Sequence, residues 1–186
     1  MVDKLIVLDI DETLFYCDYS EYIDNPDYTF MLTSGSGRSS IKRNYSTIKR
    51  PFLNQFLEYV TNNFKYGIYT AASEDYAKAH IKKLNLDPLF LLSYKNCTPK
   101  MDSNWSNYYS LKKLSKLSKY SSLSKMIAID DKSESYTQNY GNLIKVNPFM
   151  GDLKDTTLMK LISYIDKIKD VNDIRSIEKR GWMNNC

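Results

Sequence analysis

The sequence predicts an α/β protein: a mainly parallel sheet with helices on both faces and a small β-hairpin insertion. Three observations carry this reading. Short apolar, β-branched runs end at 9, 71, 131 and 146, with the continuous hydrophobicity of strands buried on both faces. Segments with helical periodicity alternate with them, and such alternation implies crossover connections and a parallel sheet. The stretch 27–48 breaks the alternation, because two strand-like runs there flank glycines, so it reads as an insertion.

Each element has its own signal. "LIVLD" (5–9) is the first buried strand. "DYTFML" (27–32) and "SIKRNYSTI" (40–48) surround "TSGSGR" (33–38), which reads as a hairpin turn rather than a phosphate loop. Over 50–63 a helix is predicted, with Pro51 in its first turn and Phe52, Phe56, Leu57 and Val60 on one stripe. "KYGIYTA" (65–71) is the next strand. Ser73 then caps a helix over 73–84, with Glu74 and Asp75 in its first turn and lysines in its last. A strand is predicted over 89–94, a helix over 106–117, and a strand over 125–131. A short helix or turn follows over 133–139, then a last strand over 143–146. An amphipathic helix over 154–168 and a final helical stretch over 171–180 close the pattern. Residues 1–186 thus read as one domain, with a second small insertion within 88–106.

Bulk properties narrow the function classes. A chain of 186 residues with 42% hydrophobic and 26% charged content can bury a real core. The net charge of +4 permits an anionic substrate without demanding nucleic acid. The lysines and tyrosines of 108–125 read as a charged helix face rather than a nucleic-acid track. No apolar run approaches the roughly 20 residues of a membrane span, and the N-terminus reads as a strand, not a signal peptide. Cys17, Cys97 and Cys186 share no close spacing, which argues against a zinc site or a disulfide framework. An intracellular, soluble protein is therefore expected. His80, in mid-helix, reads as a surface or packing residue.

The chemistry lies at the strand ends. In open α/β sheets ligands bind beyond the carboxyl ends of the strands. Here one strand ends in Asp9 with Asp11 close behind, one in Thr70, and one in Asp130 and Asp131. If these strands are neighbours, four carboxylates share one crevice, and their repulsion calls for a divalent cation. Hard oxygen donors with room for water and a phosphate oxygen describe a Mg²⁺ site. A carboxylate can attack phosphorus to give an aspartyl-phosphate. Thr70 offers a hydroxyl, and the backbone N–H groups opening the next helix, beginning at Ala71, offer an anion cradle. A lysine would add positive charge, and a second carboxylate would serve as general acid and then base.

These residues carry a resemblance. "DIDETL" resembles motif I, Asp-x-Asp-x-Thr, of the haloacid dehalogenase (HAD) superfamily. It is similar in particular to the NLI-interacting-factor-like phosphatases that act on the C-terminal domain (CTD) of RNA polymerase II. "IKRPFLNQFLEYV", "YTAASEDYA", "LKKLSKL", "MIAIDDKSESY" and "DTTLMKLISYIDKI" resemble that family's later segments in order, from residue 4 to about 180. The resemblance implies a HAD-type fold without a large cap domain. It implies Asp9 as nucleophile, Asp11 as general acid/base, and Thr70 and Lys112 as phosphate contacts. It also implies Mg²⁺ held by Asp9, the Asp11 carbonyl, and the Asp130–Asp131 pair, with Asp131 favoured as direct ligand. The implied substrate is phosphoserine or phosphothreonine in a protein or peptide. Two departures stand out: Lys113 replaces an acidic residue, leaving it open which of Lys112 and Lys113 acts, and "FYCDYS" (15–20) departs from the family sequence. Alternatives are the same mechanism on a nucleic-acid end or a small metabolite, a phosphotransferase, or a non-catalytic peptide-binding module.

Overall fold

The computed structural model describes residues 3–20, 22–35, 39–101 and 108–185. Along the chain run β1 (Leu5–Leu8), β2 (Phe15–Asp18), β3 (Tyr28–Ser34), β4 (Ile41–Lys49), α1 (Leu53–Asn63), β5 (Lys65–Tyr69) and α2 (Glu74–Lys83). There follow β6 (Leu91–Leu92), β7 (Thr98–Met101), β8 (Tyr108–Leu111), β9 (Met126–Asp130), β10 (Leu143–Lys145) and α3 (Thr157–Ile168). The central sheet is parallel with order β10-β9-β1-β5-β6. β1 therefore lies between β9 and β5: the chain steps from β1 out to β5 and β6, then crosses back to β9 and β10 on the other side of β1, so the direction of winding reverses there. This is where an α/β sheet opens a crevice at its carboxyl edge.

Alternation along β1 explains its unbroken hydrophobicity. Ile6 and Leu8 face a core built with Phe56, Leu57 and Val60 of α1, Ala77 of α2 and Leu158 and Leu161 of α3. Leu5 and Val7 face the other side, among Tyr69, Phe90, Met126 and Ala128. That second face is covered by single 3-10 turns at Leu114–Leu117 and Ser133–Tyr136 rather than by α-helices. Gly67 leaves room there: a Cβ on it would collide with the edge of the Phe90 ring. Among the described residues no helix is long and apolar enough to cross a membrane.

The insertion predicted over 27–48 is antiparallel: β3 pairs with β4 from Tyr28↔Thr47 to Ser34↔Ile41. Its turn falls largely on 36–38, outside the described residues, as does 102–107 of the predicted second insertion. "FYCDYS" contributes a strand that the sequence reading left unassigned. β2 pairs with β4, Phe15↔Lys49 to Asp18↔Ser46, making a three-stranded sheet.

Two helical expectations are corrected. Over 106–117 the described residues form β8, paired with β7 from Thr98↔Leu111 to Met101↔Tyr108, and then a 3-10 turn. Leu111, Leu114 and Leu117 are all buried, and their spacing of three suits a 3-10 turn, whose side chains eclipse every third residue. The aromatic pair Tyr108–Tyr109 favours a strand. Over 171–180 only Ile174–Ser176 is helical. Asp173 there accepts from the Arg175 N–H and pairs with the Arg175 guanidinium, a local closure that competes with helix propagation.

Candidate active site

The turn after β1 is sharply bent. Glu12 adopts a left-handed φ of 58°, unfavourable for a residue with a side chain. Its neighbours hold it there. The Glu12 carbonyl accepts from the Phe149 N–H at 2.7 Å, and the Thr13 carbonyl accepts from Arg50 Nη1 at 3.1 Å. The Leu14 N–H donates to the Ile10 carbonyl at 2.8 Å. Arg50 is fully buried and reaches Asp155, at the start of α3, with two nitrogens: Nε to Oδ1 at 3.1 Å and Nη2 to Oδ2 at 2.8 Å. One guanidinium thus ties the turn to the hairpin sheet's last strand and to α3. Sequence reasoning missed this role; the signal was an arginine beside a helix-opening proline.

Neighbouring strand ends bring Asp9, Asp130 and Asp131 together. All three are buried, and each offers an oxygen within 4.8 Å of the others. Lys112 directly follows β8 and is buried, its Nζ 2.5 Å from both Asp9 Oδ1 and Asp130 Oδ2. Burial works against its charge, but Asp130 and Asp9 hold its pKa well above the usual lysine value. Lys113 is half-exposed, at the start of the following 3-10 turn. Thr13 sits under the cluster, with Oγ1 3.4 Å from both Asp9 Oδ2 and Asp131 Oδ1. Asp130 has both oxygens engaged, since Oδ1 also accepts from the Lys132 N–H at 2.8 Å. Glu12 points a carboxylate toward Lys132 at 3.9 Å, a rim pair rather than a member of the cluster.

Asp11 stands apart from the three. Burial first, and the Asp9 charge second, push its pKa up to about 7. Its Oδ1 accepts from the Tyr76 hydroxyl at 2.5 Å. Thr70 is buried just beyond β5, and its hydroxyl accepts from the Ala72 N–H at 2.9 Å, shaping the turn into α2. Ala71 lies exposed on that turn. His80 is buried in α2, stacked on Phe15 at 3.9 Å and hydrogen-bonded through Nδ1 to the Tyr28 hydroxyl at 2.7 Å, away from the carboxylates.

The arrangement can do specific chemistry. Three oxygen donors converge without nitrogen or sulfur, a donor set suited to a hard divalent cation. Asp9 has a lysine on one oxygen, while a separate carboxyl, Asp11, is bound by the Tyr76 hydroxyl.

The chain is similar to known proteins in both sequence and fold. A family model described as NLI interacting factor-like phosphatase matches residues 4–175. CTD small phosphatase-like protein 2 of Dictyostelium discoideum is 30% identical over 91% of this chain, which spans 28% of that relative. A CTD phosphatase-like protein of Invertebrate iridescent virus 3 is 29% identical, with 89% of this chain matching 97% of it. CTD nuclear envelope phosphatase 1 homolog of Drosophila melanogaster is 29% identical over 96% of this chain and 72% of that protein. Among solved structures, a variant of the fission yeast RNA polymerase II CTD phosphatase Fcp1 bound to beryllium fluoride superposes with a TM-score of 0.60. The two are 20% identical, over 93% of this chain and 52% of that one. A second Fcp1 structure gives 0.61 at 21% identity, over 96% and 46%. The shared fold is of the HAD type.

Proposed function

Because the chain belongs to the NLI interacting factor-like phosphatase family, we propose that it hydrolyses phosphomonoesters through an aspartyl-phosphate on Asp9. The substrate class would be phosphoserine or phosphothreonine in a protein, as the CTD phosphatase names of its relatives suggest. The observation that carries the reading is the different surroundings of two aspartates separated by one residue: Asp9 is ion-paired to Lys112, and Asp11 is bound by the Tyr76 hydroxyl.

The Asp9 carboxylate attacks phosphorus, and the bond to the serine or threonine oxygen breaks. Asp11 gives its proton to that leaving oxygen. A water then attacks the phosphorus of the Asp9 acyl phosphate, losing its proton to Asp11; the bond from phosphorus to the Asp9 oxygen breaks, and inorganic phosphate leaves with the Asp9 carboxylate restored. Thr70 and the N–H groups of the turn at Ala71 would hold the phosphoryl oxygens, with Lys112 between them and Asp9. Asp9, Asp131 and the Asp11 carbonyl would hold Mg²⁺. Asp131 suits direct ligation better than Asp130, whose oxygens are already taken by Lys112 and the Lys132 N–H. Bound there, the cation would supply charge neutralisation between the carboxylates and the phosphoryl group.

The test is turnover of p-nitrophenyl phosphate, phosphopeptides and 5′-phosphorylated oligonucleotides by wild type and Asp9→Asn. The expectation is loss of all turnover in the variant with unchanged thermal unfolding, loss on EDTA treatment, and preference for phosphopeptides. Undiminished activity in Asp9→Asn would end the mechanism, and a preference for oligonucleotide ends would end the substrate assignment.

A further inference from the structure

Tyr76 is the donor that the described residues supply to the Asp11 side chain, and it is fixed on several sides. Its backbone N–H donates to Ser73 Oγ at 3.3 Å, the cap of α2. Its ring meets Tyr45 edge-on at 5.3 Å, Phe30 at 5.9 Å and His80 at 4.4 Å between centroids. Phe30 and Tyr45 belong to the inserted sheet, and His80 lies one turn further along α2. Only 9% of the Tyr76 surface is exposed, so ring and hydroxyl have little freedom. The hydroxyl ends 2.5 Å from Asp11 Oδ1.

A carboxyl that must deliver a proton to a departing oxygen needs a fixed direction, and the Asp side chain alone has a broad terminal torsion. We propose that Tyr76 is a positioning residue: its hydroxyl pins Oδ1 of Asp11 so that Oδ2 faces the leaving group. This rests on the phosphatase reading above. An uncharged donor suits the task, since it orients the carboxyl without placing another cation beside it. The inserted sheet thereby acquires a part in the reaction through Phe30 and Tyr45, which brace the tyrosine ring.

The test is Tyr76→Phe, which removes one oxygen and keeps the ring. It should be assayed as kcat/KM on p-nitrophenyl phosphate, phenyl phosphate and a phosphoserine peptide. p-Nitrophenolate leaves with little protonic help, whereas phenol and serine need the acid. The expected loss is about threefold on p-nitrophenyl phosphate and more than about tenfold on the other two, the scale of a misdirected general acid. Phenyl phosphate separates acid positioning from peptide recognition, because it carries no peptide. In an Asp11→Asn background, Tyr76→Phe should change kcat/KM on phenyl phosphate by less than about twofold. Equal losses on all three substrates, or a loss that persists without the Asp11 carboxyl, would overturn the proposal. Full turnover by Asp9→Asn would instead overturn the underlying mechanism, whatever Tyr76→Phe does.

Discussion

Lys112 Nζ lies 2.5 Å from Asp9 Oδ1, and the same ammonium lies 2.5 Å from Asp130 Oδ2, with all three groups buried. One cation thus offsets the repulsion of two carboxylates that have little water to screen them. Lys112→Met keeps the length and removes the charge. Turnover of p-nitrophenyl phosphate should fall at least about 100-fold, the scale of losing a preorganised charge beside the reacting groups. Stability should drop by up to about 3–5 kcal/mol, the cost of a buried charge left unpaired, and by less where a carboxylate takes up a proton instead. Lys113→Ala should leave turnover unchanged. Parallel kinetics of the two variants decide between the adjacent lysines.

Arg50 makes a different prediction, because its partners are the Glu12 and Thr13 carbonyls of the turn after β1, the Asn147 carbonyl and the Asp155 carboxylate. Arg50→Lys retains charge but cannot span Asp155, Thr13 and Asn147 at once. A loss of about 2–4 kcal/mol is expected, from buried carbonyls and a carboxylate left with fewer donors. A lower urea midpoint checks it. Because Arg50 supports the turn at Glu12, kcat should fall as well, with metal present in excess.

Gly67 tests the packing of the sheet's second face. Its absent Cβ is replaced by the Phe90 ring edge, so Gly67→Ala forces that ring to move. A loss of about 1–3 kcal/mol is expected, as for other overpacked cores. Gly67→Ala with Phe90→Leu should recover part of it, and thermal unfolding of the single and double variants measures the difference.

The five strands of the central sheet, the β3–β4 hairpin, the three long helices and the crowded carboxylates were legible because each leaves a local pattern. Two-sided burial gives "LIVL" and "MIAI" their unbroken hydrophobicity, and a strand end is a fixed place to look for ligands. What was not legible depends on partners far along the chain. Tyr76 reads as one aromatic on a short helix, and only the fold puts Asp11 within reach of it, 65 residues away. Arg50 and Asp155 are 105 residues apart. The helix expected over 106–117 failed because leucines three apart suit a 3-10 turn as well as an α-helix, and pairing of β8 with β7 decided the matter. That extended backbone is also what delivers Lys112 to the carboxylates.

His80 gives a pH dependence with a definite sign. Burial lowers its pKa from 6.5 to about 3, and its Nε2 has no hydrogen-bond partner among the described residues. The folded protein therefore keeps the imidazole neutral while the unfolded chain protonates it below about 6.5. The unfolded state binds the extra proton, so this contribution is present in full above pH 6.5 and is lost as pH falls toward about 3. Between about pH 7 and 5 the loss should be roughly 2 kcal/mol. Asp11 and Asp131 act oppositely: their pKa values are raised in the fold, to about 7 and about 6, so the folded state takes up protons as pH falls. Those contributions are common to wild type and His80→Gln and cancel in the difference between them. Chemical denaturation of both proteins over that range should show the wild type losing more stability toward acid. A difference that stayed flat with pH would mean that the imidazole is charged within the fold, against its packing on Phe15 and Phe30.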